Sequence, residues 1–449
     1  MPAEKTGSIA RQNMANGPIA RKLIAFAVPI LLGDLLQQLY NIADSIIVGQ
    51  GVGKTAFAAV GATNTLTNTL VGFFIGMSVG ATALISRYFG AQDRKRLTRA
   101  VYTTVIMTLV LGLTISAVGI LFTPVMLRLM KAPDDVYPEA VLYLRIYFGG
   151  ILGLMMYNML SGILRAIGDS RRPLYFLCFS SVLNLVLDLL FVMGFHWGVA
   201  GAATATVISQ FLAAGILLRL LSKPEEYCRV EWNLRHFDRK MCRDIITIGL
   251  PVALQRSITA LSNLLVRSYI NAFGTDAMAG WSAFSKVDDI ILMPLQSMSM
   301  ATTTFVGQNL GAGHRERIHK GVRDSLWISV VVTMGLGGAI FAFCRPVVGL
   351  FCPDEAVIYY GVCFLRLLVP LRFLSCIIQV YSGALRGLGN SKIPMYFMLF
   401  SFVICRQIYL YVGTRMINSI WFVVFGYPFG WLICAVLTLT YYWRKKGSI

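Results

Sequence analysis

The chain has 449 residues, 56% of them hydrophobic and only 14% charged. Soluble domains carry about 25% charged residues, so a chain this apolar could not cover a water-facing surface of its own and must have the bilayer as its solvent. The net charge of +19 would suit nucleic acid, but the charges sit in short loops between apolar runs, too short to build a surface that reads bases, and nucleic acid is excluded as a partner.

The first twenty-odd residues are polar and basic (Lys5, Arg11, Arg21, Lys22), and no small-residue cleavage site follows the first apolar run, so the first helix is expected to stay. About 20 apolar residues cross the hydrocarbon core. Spans fall near 23–48, 56–83, 100–122, 139–164, 173–195, 198–221, 245–271, 278–305, 322–344, 358–385, 394–415 and 418–443. With the N-terminus in the cytoplasm, about 28 of the 40 Lys and Arg lie on the inner side, as the positive-inside rule requires. The reading is an all-α, multi-pass protein of the cell membrane with both termini cytoplasmic. Residues 1–222 form an N-lobe, 223–244 a cytoplasmic linker and 245–449 a C-lobe.

The first span carries Gln37, Asn41 and Asp44 on one helix face, at i, i+4 and i+7. Beyond it, Gly49 to Thr55 looks like a phosphate loop, but Val48 stands where its first glycine is required, and the segment lies on the outer face. Between the fourth and fifth spans, Ser161 to Ser180 reads SGILRAIGDSRRPLYFLCFS. At an offset of 221, Ser382 to Ser401 reads SGALRGLGNSKIPMYFMLFS, identical at eleven of the twenty positions. Pro29 and Pro251, which open the halves, are one residue off that register. In this repeated loop Arg165 or Arg386 ends a helix, Gly168 or Gly389 supplies the turn and Pro173 or Pro394 starts the next helix. Six spans per half give parallel repeats, which can enclose a cavity and rock between two access states.

The fifth span places Asn184 one turn before Asp188, and Thr206 on the sixth falls at a similar depth. Ionisable groups inside a span cost roughly 2.5–3.5 kcal/mol on insertion scales and so mark function. Asp44 and Asp188, with Asn184 and Thr206, are expected to form one polar pocket suited to a proton or small cation, since two carboxylates out of water need a cation between them. The second half lacks this pair: Cys405 and Tyr409 stand at the Asn184 and Asp188 positions. It carries Arg256, Arg267, Lys286, Asp288, Asp289 and Arg406 instead. Lys286, Asp289, Arg406 and Arg256 are expected to form a structural ionic network, with Asp289 paired to Arg406. The nine cysteines and four histidines show no metal-ligand spacing, so neither a metal nor an organic cofactor is expected. No constellation suggests an enzyme.

These residues resemble the MATE (multidrug and toxic compound extrusion) family. Tyr40 to Ser45 with Val48-Gly49 is similar to its first-helix signature, Leu164-Arg165-Ala166 with Gly168-Asp169 and Pro173 to its loop between helices four and five, Asn184 to Asp188 to its fifth-helix motif, and Phe305 to Asn309 with Gly311-Ala312 to the end of its eighth helix. The resemblance implies twelve helices in a V-shaped two-lobe bundle and efflux of small amphipathic, often cationic compounds, driven by H+ or Na+ and carried out by a monomer in the lipid bilayer. It implies that Asp44, Asn184, Asp188 and Thr206 match an N-lobe cation site, with Gln37 and Asn41 toward substrate in the space between lobes. Thr259 stands where the NorM-type branch has an acid on helix seven, so the chain looks closer to the DinF-like type. The alternative within the superfamily is a lipid-linked saccharide flippase.

Overall fold

The structure, a computed structural model, describes residues 13–130, 133–224, 226–233 and 236–448. Lys5, Arg11 and Lys131, which contribute to the charge pattern, lie outside them. Among the described residues every regular element is a helix. In the first half α1 is Ile19–Gly51, α2 Lys54–Gly90, α3 Arg94–Leu129, α4 Tyr137–Ala166, α5 Arg171–Asp188 and α6 Gly198–Leu221. In the second, α7 is Arg239–Asn271, α8 Thr275–Gly311, α9 Arg315–Ala342, α11 Lys392–Met416 and α12 Ile420–Lys445. Between α9 and α11, α10 has two pieces, Glu355–Leu371 and Phe373–Gly387, bent by 51° at Arg372. Ten of these helices are long and apolar enough to cross a membrane, eleven with bent α10 as one span, and the 33-residue α1 is the twelfth. Helices are the expected solution, because a helix satisfies its backbone groups within its own segment where no water reaches.

Two helices deviate from the α pattern beside chemically loaded residues. A π turn, Leu189–Gly194, begins directly after Asp188, and another inside α11, Leu399–Cys405, ends directly before Arg406. Such turns are frequent at functional sites.

The repeat survives as hydrogen bonds. Ser78 Oγ of α2 donates to the Asn158 carbonyl of α4 at 2.9 Å, and Thr82 Oγ1 to the Gly162 carbonyl at 3.0 Å. At an offset of 221, Ser299 Oγ of α8 donates to the Gln379 carbonyl of α10 at 2.6 Å, and Thr303 Oγ1 to the Gly383 carbonyl at 3.0 Å. Small residues let the backbones approach, and the hydroxyls bond across the gap. The loop motif is duplicated too. Gly168 and Gly389 take φ of 89° and 85°, the left-handed region open to glycine. The next N–H folds back onto the helix, Asp169 to the Leu164 carbonyl at 3.0 Å and Asn390 to the Leu385 carbonyl at 2.8 Å.

The chain falls into two compact units, one holding Pro29–Gly249 and the other Met14–Val28 with Leu250–Ile449. These bounds differ from those read from the sequence, for visible reasons. The expected linker belongs to the first unit: Cys228 and Val230 are buried in its core, and Arg172 forms a buried ion pair with Asp169 and another with Glu226 at 2.6 Å. The segment before α1 belongs to the second unit. Met14 is fully buried there, its N–H donates to Gln308 Oε1 at 2.8 Å, and its carbonyl accepts from Asn309 Nδ2 at 3.3 Å. The chain thus passes from one unit to the other next to Pro29 in α1 and next to Pro251 in α7.

The α8–α10 contact leaves no room for a side chain at Gly383, where a Cβ would lie 2.6 Å from the Ser299 carbonyl oxygen, whereas Gly335 faces open space. Gly383→Val should destabilise the protein by about 1–3 kcal/mol, read as a lower Tm in detergent, while Gly335→Ala should hold or raise it. An unchanged Tm for Gly383→Val would show that the two helices do not pack this closely.

Candidate cation site in the first unit

Four helices bring the polar groups together. Asp188 and Asn184 come from the last turns of α5, Thr206 from α6, Asp44 and Tyr40 from α1, and Tyr143 from α4. Asp188 is 0% and Asn184 1% exposed. With its amide turned so that both ends are satisfied, Asn184 donates to Asp188 Oδ2 at 2.7 Å and accepts from the Thr206 N–H at 3.0 Å. The Thr206 hydroxyl donates to the Ala202 carbonyl at 3.1 Å, so the Tyr40 O–H, 3.2 Å away, is the donor toward Thr206 Oγ1. The carboxyls of Asp44 and Asp188 are in hydrogen-bond contact with each other, and Tyr143 lies within electrostatic reach of both.

Two further oxygens define what this arrangement can do. Asp44 Oδ1 and Asp188 Oδ1 are buried and meet no hydrogen-bond donor among the described residues. A buried unpaired carboxylate costs several kcal/mol, and two in contact repel. The pair can persist only with a proton or a small cation between its members. Gln37, half-buried, and Asn41, exposed, lie on the same face of α1 as Asp44.

The structure thus unites Asp44, Asn184, Asp188 and Thr206, as the helical spacing predicts. Tyr40 and Tyr143 were not singled out as site residues. Tyr40 stands four residues before Asp44, a spacing that could have revealed it. Tyr143 has no local signal, since only the packing of α4 brings it near. Asp34 is the other acid within α1, near Arg165 and Tyr157 rather than near the pair.

The charged residues of the second unit are distributed differently from the expected network. The buried ion pair joins Asp288 of α8, not Asp289, to Arg372 at the bend of α10, and the Arg372 guanidinium lies 4.3 Å from the Trp431 ring centroid. Arg406 does not pair with Asp289. Its Nη2 donates to Ser262 Oγ at 2.6 Å and Asn263 Oδ1 at 3.0 Å, its Nε to the Phe402 carbonyl at 3.2 Å, and its charge lies 4.9 Å from the Tyr427 ring centroid. The π turn of α11 delivers this side chain toward α7, where neutral oxygens and an aromatic face replace a carboxylate. Lys286 stays electrostatically close to Asp289, together with Arg267. Arg256 is an electrostatic neighbour of Arg386 instead.

A helical membrane protein of two similar six-helix halves, with a carboxyl pair buried in one of them, has the build of a membrane transporter. The chain belongs to the MatE family, whose profile matches residues 29–190 and 251–412, and whose members are transporters. It is 27% identical to the probable multidrug resistance protein YoeA of Bacillus subtilis (strain 168), over 98% of this chain and 97% of that protein. It is 28% identical to the probable multidrug resistance protein NorM of Thermotoga maritima, over 84% and 82%. A crystal structure of a MATE protein in complex with MaL6 superposes with a TM-score of 0.91 at 23% identity, covering 98% of this chain and 99% of that one, and shares the twelve-helix fold.

The hydrogen bonds rank the polar residues by their contribution to stability. Asn184→Ala strips Asp188 and the Thr206 N–H of a partner and should cost about 1–3 kcal/mol. Tyr40→Phe should cost about 0.5–1.5 kcal/mol, and Gln37→Ala close to nothing. Thermal unfolding in detergent measures all three, and a Gln37→Ala loss as large as that of Asn184→Ala would overturn the ranking.

Proposed function

We propose that this chain is a cation-coupled multidrug efflux antiporter of the cell membrane, working as a monomer with both termini in the cytoplasm. The observation that carries the reading is the contact between the Asp44 and Asp188 carboxyls, each with a buried oxygen that no donor among the described residues reaches. One H+ or Na+ reduces the pair to a single negative charge shared by the two carboxyls, and Asn184, Thr206 and Tyr40 hold the carboxyls in place for it. Loading and unloading the cation changes the charge of a buried site by one unit, a difference large enough to bias one access state over the other. The proline-bearing helices α1 and α7, in which the chain changes units, are the natural places for such a change to be absorbed.

Small amphipathic drugs are the proposed substrates, with Gln37 and Asn41 lining their route. The names of the Bacillus and Thermotoga relatives support drug efflux over transport of a lipid-linked saccharide. The DinF-like type remains our assignment of branch. Thr259 on α7 and Arg372 at the bend of α10 supply no second acid pair to complement the first.

Proteoliposomes with an imposed pH or sodium gradient test the coupling. Drug efflux should follow one gradient in the wild type and fall roughly tenfold or more, about 1.4 kcal/mol, in both Asp44→Asn and Asp188→Asn. Asn41→Ala should raise the KM for drug while leaving the gradient requirement intact. Gradient-driven transport at wild-type rates in both carboxamide variants would exclude this coupling site.

A further inference from the structure

The helices of the second unit turn two kinds of face outward. From Trp327 to Phe341 on α9, from Tyr396 to Val412 on α11 and from Trp421 to Val436 on α12, every exposed residue is apolar or aromatic. Such faces suit lipid, where an ionised side chain is costly. α8 breaks the pattern. Ser282, Lys286, Asp289 and Gln296 are all exposed, and they stand at i, i+4, i+7 and i+14, on one face of the helix. Trp281, Phe284, Val287 and Ile291, on the opposite side, are buried in the core of the unit. Asp288, one residue round from Asp289, is the acid that reaches Arg372.

These charges lie well inside the span. A short loop joins α7, which ends at Asn271, to α8, which starts at Thr275. Counted from that loop, Lys286 is roughly 16 Å and Asp289 roughly 21 Å along α8, at 1.5 Å per residue. The exposed Leu261, Leu264 and Leu265 of α7 are nearer the loop than either charge. A lysine can bend its long stem toward an interface, but an aspartate at this depth cannot. Neither Lys286 nor Asp289 forms an ion pair among the described residues. Exposed, unpaired charges inside a span border water rather than lipid. In a transporter that water is the substrate path. Residues at i and i+3 on a helix have Cβ atoms about 5–6 Å apart, so an ammonium and a carboxylate stand side by side on this wall. A purely cationic ligand would satisfy Asp289 and be repelled by Lys286. A ligand with a carboxylate close to a cationic group satisfies both.

We propose that Lys286 and Asp289 form a charge-reading site on α8 that selects zwitterionic amphipathic compounds, Lys286 taking the anionic oxygen and Asp289 the cationic group. This rests on the reading of the chain as a drug transporter, but not on how transport is coupled. Equilibrium binding to the full chain in a neutral detergent, followed by fluorescence polarisation, tests it without any gradient. The probes are rhodamine B, which carries a carboxylate beside its cationic ring system, and its ethyl ester, which keeps the ring system and only the cation. The wild type should bind rhodamine B the more tightly. Lys286→Gln should weaken rhodamine B roughly tenfold and leave the ester unchanged or tighter, whereas Asp289→Asn should weaken both dyes. Lys320→Gln, the same charge change at the exposed start of α9, should alter neither. In proteoliposomes a charged, impermeant thiol reagent should label Gln296→Cys on the α8 face faster than Val331→Cys on the apolar face of α9. If the carboxamide variants of Asp44 and Asp188 keep gradient-driven efflux, the coupling site fails while the dye preference stands. The present proposal is wrong if neither dye binds, if the wild type prefers the ester, if Lys286→Gln weakens both dyes equally, or if Val331→Cys is labelled as fast as Gln296→Cys.

Discussion

Everything in this protein follows from the absence of water around most of its length. A backbone that cannot bond to solvent must bond to itself, so the chain is helical wherever it is apolar. Helices in lipid gain little from hiding apolar side chains from one another. What holds the bundles together is close backbone approach, and the bonds from Ser78 and Thr82 to α4, repeated from Ser299 and Thr303 to α10, show the same solution used twice. Gly162 and Gly383 make the approach possible.

Against that apolar background every buried charge needs an explanation, and the two units answer differently. In the first unit the carboxyls of Asp44 and Asp188 meet without a basic partner among the described residues, which is the ground for proposing an exchangeable cation there. In the second, Asp288 has the permanent counter-charge of Arg372, and Arg406 is spread over hydroxyl, amide and aromatic groups. The second unit's Asp288 is already neutralised by an internal ion pair, whereas the first unit's pair is not. The duplicated scaffold therefore carries undivided architecture and divided chemistry.

Much of this was legible in the residues. The lengths of the apolar runs and the loop charges gave the spans, and the repeated SGxLRxxG segment gave the two halves. The i, i+4 spacing of Asn184 and Asp188 put them on one face, and their depth along α5 matched that of Thr206 and Asp44. Other features were hidden for physical reasons. Tyr143 approaches the carboxyls only through the packing of α4. Asp289 looked like the partner of Arg406 because both lie within spans, but the direction of a side chain around its helix depends on the local winding, and the π turn before Arg406 turns it toward Ser262. Met14 lies in a polar stretch with no pattern of its own, yet Gln308 and Asn309 bury it in the second unit.

The sequence by itself determined the membrane environment, the count and order of helices, the duplication and the identity of the first unit's polar residues, because these depend on local composition and on periodicities of one helix at a time. Tertiary structure alone decided which charges pair. Asp288 rather than Asp289 meets Arg372, Arg406 goes to Ser262 and Asn263, and the segments ahead of α1 and α7 fold onto units other than the ones their helices enter. These outcomes depend on distances between helices far apart in the chain, and a shift of one residue, as between Pro29 and Pro251, rotates a side chain by about 100° and changes its partner.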